Sequence, residues 1–363
     1  MSIFGRNIKT TVFGESHGRG VGVTVTGLAP GIKVDDDNIA FVLRRRLSYA
    51  HSTPRHETAF EILSGVYNGF TTGAPLTVFL PNNDTRSSDY DTSVARPGHA
   101  DYTEYVRSNG FCDLRGGGYH SGRLTAPIAA LGAIVIPELA RHGICVASHI
   151  YEIGGIKDAA LTDPESAAMI AGSDFPMIDT DAKQAALQYL SEIKAKGDSC
   201  GGIAETVIFG LPAGLGGGFG DAVDSQFSAE IFAIPSVKGV IIGDGEEAAR
   251  GRGSEMNDQI RASSGAVYCT SNHSGGIVGG ITNCMPVVIR TYFKPVPSIA
   301  LMQKTVSLAD MQNTDIEIVG RHDVCTVCRA MPAIDALCAL KICDLLTQKY
   351  GTQYFASDKR MSL

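Results

Sequence analysis

Arginine, histidine, aspartate and glycine are concentrated in residues 96–125, a stretch whose side chains could do chemistry. Arginine presents a planar set of donors that fits a carboxylate or a phosphate, and histidine can carry a proton near neutral pH. Glycines 116–118 let backbone N–H groups approach an anion. The stretch therefore favours an anion site with a proton-transfer group, although long polar loops are often only mobile. Its polar residues are Arg96, His99, Asp101, Arg107, Asp113, Arg115, His120, Ser121 and Arg123.

The elements beside this stretch must position those side chains. Few aliphatic residues interrupt it, so neither a helical nor a strand pattern can be drawn through it, and a loop is predicted. Thr125 followed by Pro127 is typical of a helix start, and the helix is expected to run to His142 and end at Gly143. A helix N-terminus attracts negative charge, which agrees with the predicted anion site.

Further elements follow from alternation and capping. Valines 21, 23 and 25 alternate as in a half-buried strand, and residues 62–67 and 76–80 predict a strand pair. Aspartates 35–37 can cap a helix from Asn38 to about Leu47, which the arginines 44–46 close. Strands are predicted at 204–209 and 286–293, helices at 181–196 and 332–350, and a glycine loop before a helix at 214–221.

Composition narrows the class of protein. The 363 residues, 44% hydrophobic and 19% charged, are typical of a soluble globular chain, and the net charge of -7 argues against a general nucleic-acid binder. No long apolar run opens the sequence, so neither a signal peptide nor a membrane span is expected. Nine cysteines without framework spacing fit a reducing cytoplasm. The lone Cys325-x-x-Cys328 pair is more typical of buried thiols than of zinc ligands, and no metal is predicted.

Several motifs together resemble the chorismate synthase family, with a similarity that extends from Phe13 to about Leu340. They are GESHG at 14–18, RPGHADYT at 96–103, RGGGYHSGRLT at 115–125, KPVPS at 294–298 and Arg-His-Asp at 321–323. The pattern departs from the usual one at Tyr119, where an arginine is usual, at Leu124, where a glutamate is usual, and at Asp335, which replaces a glutamate.

The resemblance implies an α+β fold, a β-α-β sandwich with antiparallel sheets packed around a helical layer, as one domain over residues 1–363. It also implies a cytoplasmic homotetramer. The implied reaction is the 1,4-anti elimination of phosphate from 5-enolpyruvylshikimate-3-phosphate to give chorismate, in the shikimate pathway of aromatic amino-acid biosynthesis. Reduced FMN (FMNH2) is required without net redox change. An external flavin reductase is the expected source of reduced flavin, and reduction by this protein with NADPH stays open.

The resemblance also assigns residues. His17 would be an acid near the departing phosphate, His99 would control flavin protonation, and Asp323 would assist deprotonation at C6. The implied substrate contacts are Arg45, Arg55, Arg123 and Arg321. The implied flavin contacts are Tyr119, His120, Ser121, Pro235, Ser236, Gly279, Lys294, Pro295, Val296, Pro297, Ser298 and Arg321.

Two other classes of protein compete with this interpretation. A flavin-binding protein without elimination activity would keep Lys294 and Pro295 but would not need His17, His99 and Asp323. A module for single-stranded nucleic acid would stack bases on aromatic rings, which 7% aromatic residues and no tryptophan disfavour. A salt titration against a random oligonucleotide separates that class.

Overall fold

A computed structural model describes residues 2–46, 59–83, 91–318 and 322–355. Arg55 and Arg321, both predicted site residues, lie outside the described residues. The strands are β1 (Ser2–Phe4), β2 (Lys9–Gly14), β3 (Gly20–Thr26), β4 (Glu61–Ser64), β5 (Val66–Tyr67), β6 (Phe70–Thr71), β7 (Leu76–Pro81), β8 (Cys145–Ile153), β9 (Ile156–Lys157), β10 (Gly202–Phe209), β11 (Val237–Ile242), β12 (Ile260–Ser263), β13 (Ala266–Cys269), β14 (Ile277–Val278), β15 (Ile281–Thr282), β16 (Val287–Phe293), β17 (Gln303–Val306) and β18 (Asn313–Ile316). The α-helices are α1 (Asp36–Arg45), α2 (Asp101–Arg107), α3 (Thr125–Arg141), α4 (Pro164–Ile170), α5 (Thr180–Ala195), α6 (Val223–Phe232), α7 (Gly245–Arg250), α8 (Gly253–Met256) and α9 (Val327–Tyr350).

Two five-stranded antiparallel sheets dominate the described chain. One has the strand order β1-β2-β3-β7-β4 and the other β11-β16-β10-β8-β9. Val21, Val23 and Val25 of β3 are fully buried, because their side chains all point to the same face of the sheet. The predicted strands at 62–67 and 76–80 pair as β4 and β7, with the short β5–β6 hairpin inserted between them.

Three helices, α1, α3 and α9, pack together and contribute to the apolar core. α3 packs against α1 and α9 and against β3 and β7 of the first sheet, whereas α9 packs on β8 and β10 of the second. The helices α3 and α9 cross closely, since a Cβ on Gly132 would lie 2.5 Å from the Cβ of Ala336. The α+β class with antiparallel sheets is confirmed.

Local capping signals located α1 and α3 well. The Asp35 side chain accepts from the N–H groups of Asp37 and Asn38 and caps α1, which ends at Arg45. The helix predicted from Thr125 is α3, and Gly143 follows it with φ +75°. The stretch Arg115–Arg141, which contains α3, has the length and apolar content of a membrane span, but 78% of its apolar window is buried, as in a core helix.

Two predictions, the start of the last helix and the loop at 96–125, were incomplete. α9 begins at Val327, five residues before Pro332, because Val327, Cys328 and Met331 are buried against the core and this packing outweighs the local penalty for proline. The predicted loop at 96–125 contains the short helix α2, in which Asp101 alone is buried, so it carried no apolar pattern.

Candidate active site

The glycine-rich loop at 115–118 covers His17. His17 lies in the turn between β2 and β3, where the Ser16 N–H donates to the Gly118 carbonyl oxygen over 3.1 Å. A Cβ on Gly116 would lie 2.3 Å from His17 Cε1, and Gly116 has φ +58°, so this position needs glycine for two separate reasons. The glycine loop, which the sequence predicted to share an anion site with His99, therefore lies directly against His17.

Asn82, which had no predicted role, holds the His17 turn in shape. Its Nδ2 lies 2.9–3.0 Å from the carbonyl oxygens of Glu15, Ser16 and Gly18. The sequence could have indicated this role. An asparagine directly after a strand often bonds to backbone groups of a turn, and Asn82 directly follows β7.

His99 contacts residues 294–298, the lysine-proline segment, which lies about 200 residues further along the chain. Its Nε2 lies 2.8 Å from the Ser298 Oγ, and the Lys294 Nζ donates to the Gly98 carbonyl oxygen over 2.6 Å. A Cβ on Gly98, which has φ +72°, would lie 2.8 Å from the Cβ of Pro297. Four predicted site residues, at 99, 294, 297 and 298, are thus brought together.

Burial and neighbouring positive charge keep His99 neutral. Burial and the positive charges of Arg96, Lys294 and His322 lower the pKa of His99 to about 4, although Asp101 acts in the opposite direction. At neutral pH the ring is therefore an uncharged imidazole that can accept or share a proton. The influence of His322 also shows that the segment before α9 lies near this group.

Arg96, predicted as part of an anion site, is committed to a structural ion pair. Its Nε and Nη2 lie 2.7 and 2.8 Å from the two carboxylate oxygens of Asp101, and both residues are buried. Nη2 also donates to the Leu114 carbonyl oxygen over 3.3 Å. Arg96 therefore ties the His99 turn to the glycine-rich loop.

The other arginines of the region lie near the start of α3. Arg123 donates through Nη2 to the Pro81 carbonyl oxygen over 3.2 Å, at the end of β7. The buried Arg46 donates to the Thr125 Oγ1 over 2.7 Å and to the Gly122 carbonyl oxygen over 3.3 Å. Arg45 is half-buried at the end of α1, and its charge acts on Asp335.

Asp323, predicted to assist deprotonation at C6, lies just before α9. It is partly buried, and one of its carboxylate oxygens accepts from the Arg329 Nη2 over 3.1 Å. The imidazole of His322 next to it acts on His99, so Asp323 lies on the same side of the molecule as the His99–Ser298 pair. Among the residues that the structure describes, no group of three His, Cys, Asp or Glu side chains is placed to hold a metal ion.

Comparison with known proteins gives the family. The family model described as chorismate synthase matches residues 8–347. The chain belongs to the chorismate synthase family. As a member of that family it is an enzyme, a carbon–oxygen lyase.

Similar chorismate synthases cover nearly the whole chain. The chorismate synthase of Methanosarcina acetivorans is 41% identical over 348 residues, which is 94% of this chain and 95% of the relative. That of Pyrococcus abyssi is 40% identical over 350 residues, 94% of this chain and 96% of the relative. A solved structure titled "Crystal Structure of Chorismate Synthase" superposes with a TM-score of 0.76 at 29% identity, covering 96% of this chain and 94% of its own.

The departures of this chain from the expected family motif have local explanations. The Tyr119 hydroxyl donates to the Val12 carbonyl oxygen over 3.3 Å, and its ring packs against the core. Leu124 is buried at 7% exposure, so an apolar residue fits where a glutamate was expected. The exposed His120 has its Nε2 2.8 Å from the Glu104 Oε2, and Ser121 caps the short 3₁₀ segment Gly122–Leu124.

The remaining predicted cofactor positions fall into two places. The Lys294 N–H donates to the Ser236 carbonyl oxygen over 3.0 Å, so Pro235 and Ser236 lie beside the lysine-proline segment. Gly279 belongs to the turn of the β14–β15 hairpin, where the next residue packs against Ala222 before α6. The ten-residue helix α6, about 15 Å long, leads from that turn towards Ser236.

Asp335 received no predicted role although it replaces a glutamate of the third motif. It is buried on α9, and the Ser148 Oγ donates to its Oδ1 over 2.5 Å. Burial raises the pKa of Asp335 to about 6, and the hydrogen bond from Ser148 and the charge of Arg45 limit this rise. Asp335 therefore bonds to β8 of the second sheet and also feels the charge of Arg45 on α1.

Proposed function

We propose that this chain catalyses the 1,4-anti elimination of phosphate from 5-enolpyruvylshikimate-3-phosphate to give chorismate, in the shikimate pathway, with reduced FMN. The observation that carries the proposal is the contact between His99 and Ser298, two residues 199 positions apart, beside Lys294 and His322. In this contact a partly buried, uncharged histidine lies near the cationic Arg96 and Lys294 and near His322, an arrangement suited to a site that binds an anion and moves a proton.

The charge of the substrate matches the arginines near α3. The enolpyruvyl substrate carries two carboxylates and a phosphate, and a guanidinium binds such groups through paired hydrogen bonds. Arg45 and Arg123, at the end of α1 and at the start of α3, are the described cations that we assign to it. We assign the same role to Arg55 and Arg321, which lie outside the described residues.

The residues around His99 fit a flavin phosphate and ring. The Lys294 ammonium and the Ser298 hydroxyl are donors suited to a phosphate, and burial together with Lys238 lowers the pKa of Lys294, a cost that a bound anion would offset. Gly98 has no side chain, and this allows Pro297 to pack closely against its backbone. Reduced FMN, when bound, would supply an electron-rich ring that helps the phosphate to depart. We assign the contacts with it to residues 119–121, 235, 236, 279, 294–298 and 321.

The proton transfers fall to three side chains of this protein. His17, held under Gly116, would give a proton to the oxygen of the leaving phosphate. Asp323, oriented by Arg329, would assist removal of the proton at C6. His99, as a neutral imidazole, would hold or accept a proton beside the flavin ring. Exclusion of water around these groups strengthens each electrostatic interaction.

Histidine variants test this assignment. His17→Gln and His99→Gln should each lower kcat for phosphate release by about 100-fold, the usual contribution of a positioned acid or base. His142→Gln is the matched control, since His142 pairs with Glu138 and stacks on Tyr354 at the far end of α3. If phosphate release by His99→Gln equals that of the wild type, His99 has no part in the reaction.

We also propose that residues 1–363 form one domain, a β-α-β sandwich. Four copies of the chain would assemble as a homotetramer in the cytoplasm. An external flavin reductase would supply the reduced flavin. Support for assembly comes from the β12–β13 hairpin, which leaves Ile260 67% and Val267 60% exposed, together with Tyr268. Light scattering on the purified protein gives the mass directly. A monomer at micromolar concentration contradicts the tetramer without touching the proposed reaction.

A further inference from the structure

Three cysteine thiols lie together where the chain enters α9. The Cys200 N–H donates to the Val324 carbonyl oxygen over 2.9 Å, and the Cys325 Sγ lies 4.0 Å from the Gly201 carbonyl oxygen. The side chains of Cys200 and Cys325 also share a hydrogen bond. Cys328 is the second residue of α9, and all three thiols are buried.

The two hydrogen-bonded thiols differ in acidity. The hydrogen bond from Cys325 lowers the pKa of Cys200, although burial acts against this effect. The same bond and complete burial raise the pKa of Cys325, and burial raises that of Cys328. Because the thiolate is the reactive form, Cys200 is the one that an oxidant attacks first.

The Cys200–Cys325 pair lies between the lysine-proline segment and Asp323. The Ser199 Oγ donates to the Val296 carbonyl oxygen over 2.6 Å, and a Cβ on Gly201 would lie 2.5 Å from the Phe293 carbonyl oxygen. Cys325 follows Asp323 by two residues. Movement of either sulfur is therefore transmitted to the lysine-proline segment or to the proposed catalytic carboxylate.

We propose that Cys200 and Cys325 form a redox-sensitive pair whose reversible disulfide switches the neighbouring active site off. A hydroperoxide oxidises the Cys200 thiolate to a sulfenic acid. The Cys325 sulfur then displaces the hydroxyl as water, so that two thiols and one hydrogen peroxide give one disulfide and two waters. A dithiol reductant reverses the bond by exchange.

The geometry explains why the bond should affect catalysis. The two sulfurs must approach from hydrogen-bond contact to about 2.05 Å, and this shift pulls on the backbone two residues from Asp323. A displacement of about 1 Å at a reacting group can lower a rate by about 100-fold. In a reducing compartment such disulfides are transient and serve as sensors. The loss of activity rests on the proposed function, whereas the disulfide itself does not.

Peptide mapping tests the bond without reference to activity. The full-length protein is reduced, treated with hydrogen peroxide, alkylated and digested with trypsin, which cuts after Lys196, Lys238, Arg321 and Arg329. We expect the peptide 197–238 to be linked to the peptide 322–329. Cys200→Ala and Cys200→Ser should abolish this link, and Cys328→Ala should keep it. No link, or a bond inside the peptide 322–329, overturns the proposal.

Phosphate release before and after oxidation tests the switch. The wild type and Cys328→Ala should lose about 100-fold in rate and recover it with dithiothreitol. Cys200→Ala, checked by thermal unfolding to be folded, should keep its rate after peroxide. Equal loss in Cys200→Ala contradicts the switch. If the reduced wild type releases no phosphate, the proposed function fails, and the peptide map alone decides the disulfide.

Discussion

At the scale of single residues, His99 carries an electrostatic signature that can be measured. Its pKa in the folded protein is about 4 against an ordinary 6.5, so the unfolded chain binds more protons between these values. The free energy of unfolding should therefore rise with pH from about 4 to 6.5, and no further through this group above 6.5.

His99→Gln should flatten that part of the pH dependence. Urea unfolding of the wild type and the variant at several pH values between 4.5 and 7 measures it. The matched control is again His142→Gln, in which the wild-type slope should persist. An identical slope in the wild type and in His99→Gln would show that the pKa of His99 is not lowered by folding.

Lys294 is also tested as a single residue, because its proposed role is to supply one positive charge to the flavin phosphate. Lys294→Ala should weaken FMN binding by about 10- to 100-fold, which corresponds to the loss of a charged hydrogen bond of about 1.5–3 kcal/mol. Fluorescence titration of FMN gives the dissociation constant. Lys157→Ala, on the exposed strand β9, is the control for net charge. An unchanged constant for Lys294→Ala removes the lysine from the cofactor site.

At the scale of elements, the glycine loop is tested by two alanine substitutions. Gly116→Ala forces a side chain into His17 at a positive φ, and we expect phosphate release to fall by about 100-fold as His17 moves. Gly122→Ala is the control, since nothing lies within 4 Å of a Cβ there and its φ is not positive. Comparable losses in the two variants would mean that the loop does not position His17.

The elements also show what local sequence determines. The Asp35 side chain caps the start of α1, and Gly143 follows the end of α3 at a positive φ, so capping rules located both ends. The start of α9 depends on burial of Val327 and Met331, which no local signal reports. The contact between His99 and Ser298 cannot be predicted from residue spacing, because it joins segments 199 residues apart. It was expected only from the family resemblance.

At the scale of the whole molecule, a buried charge cluster links the N-terminus, α6 and α9. The Lys341 Nζ lies 2.8 Å from the Glu230 Oε1 and 3.4 Å from the Asp344 Oδ2, and Asp344 accepts from the backbone N–H groups of residues 6–8. Burial raises the pKa of Glu230 to about 7, against the attraction of Lys341.

This cluster makes overall stability depend on pH in the sense opposite to His99. The folded protein binds the Glu230 proton more tightly than the unfolded chain, so the contribution is full below pH 4.5 and is lost as the pH rises to about 7. Glu230→Gln should reduce the fall in Tm between pH 5 and pH 8, whereas Glu165→Gln, at an exposed position of α4, should not. An unaltered fall in Glu230→Gln contradicts the raised pKa.

The most direct test of the account is phosphate release from 5-enolpyruvylshikimate-3-phosphate by the wild-type protein, measured anaerobically with dithionite-reduced FMN. We expect phosphate and chorismate in equal amounts, no product without flavin, and none with oxidised FMN and NADPH unless a reductase is added. Product with NADPH alone would locate a reductase activity in this chain. No phosphate from a folded protein that holds reduced FMN would contradict the proposed elimination.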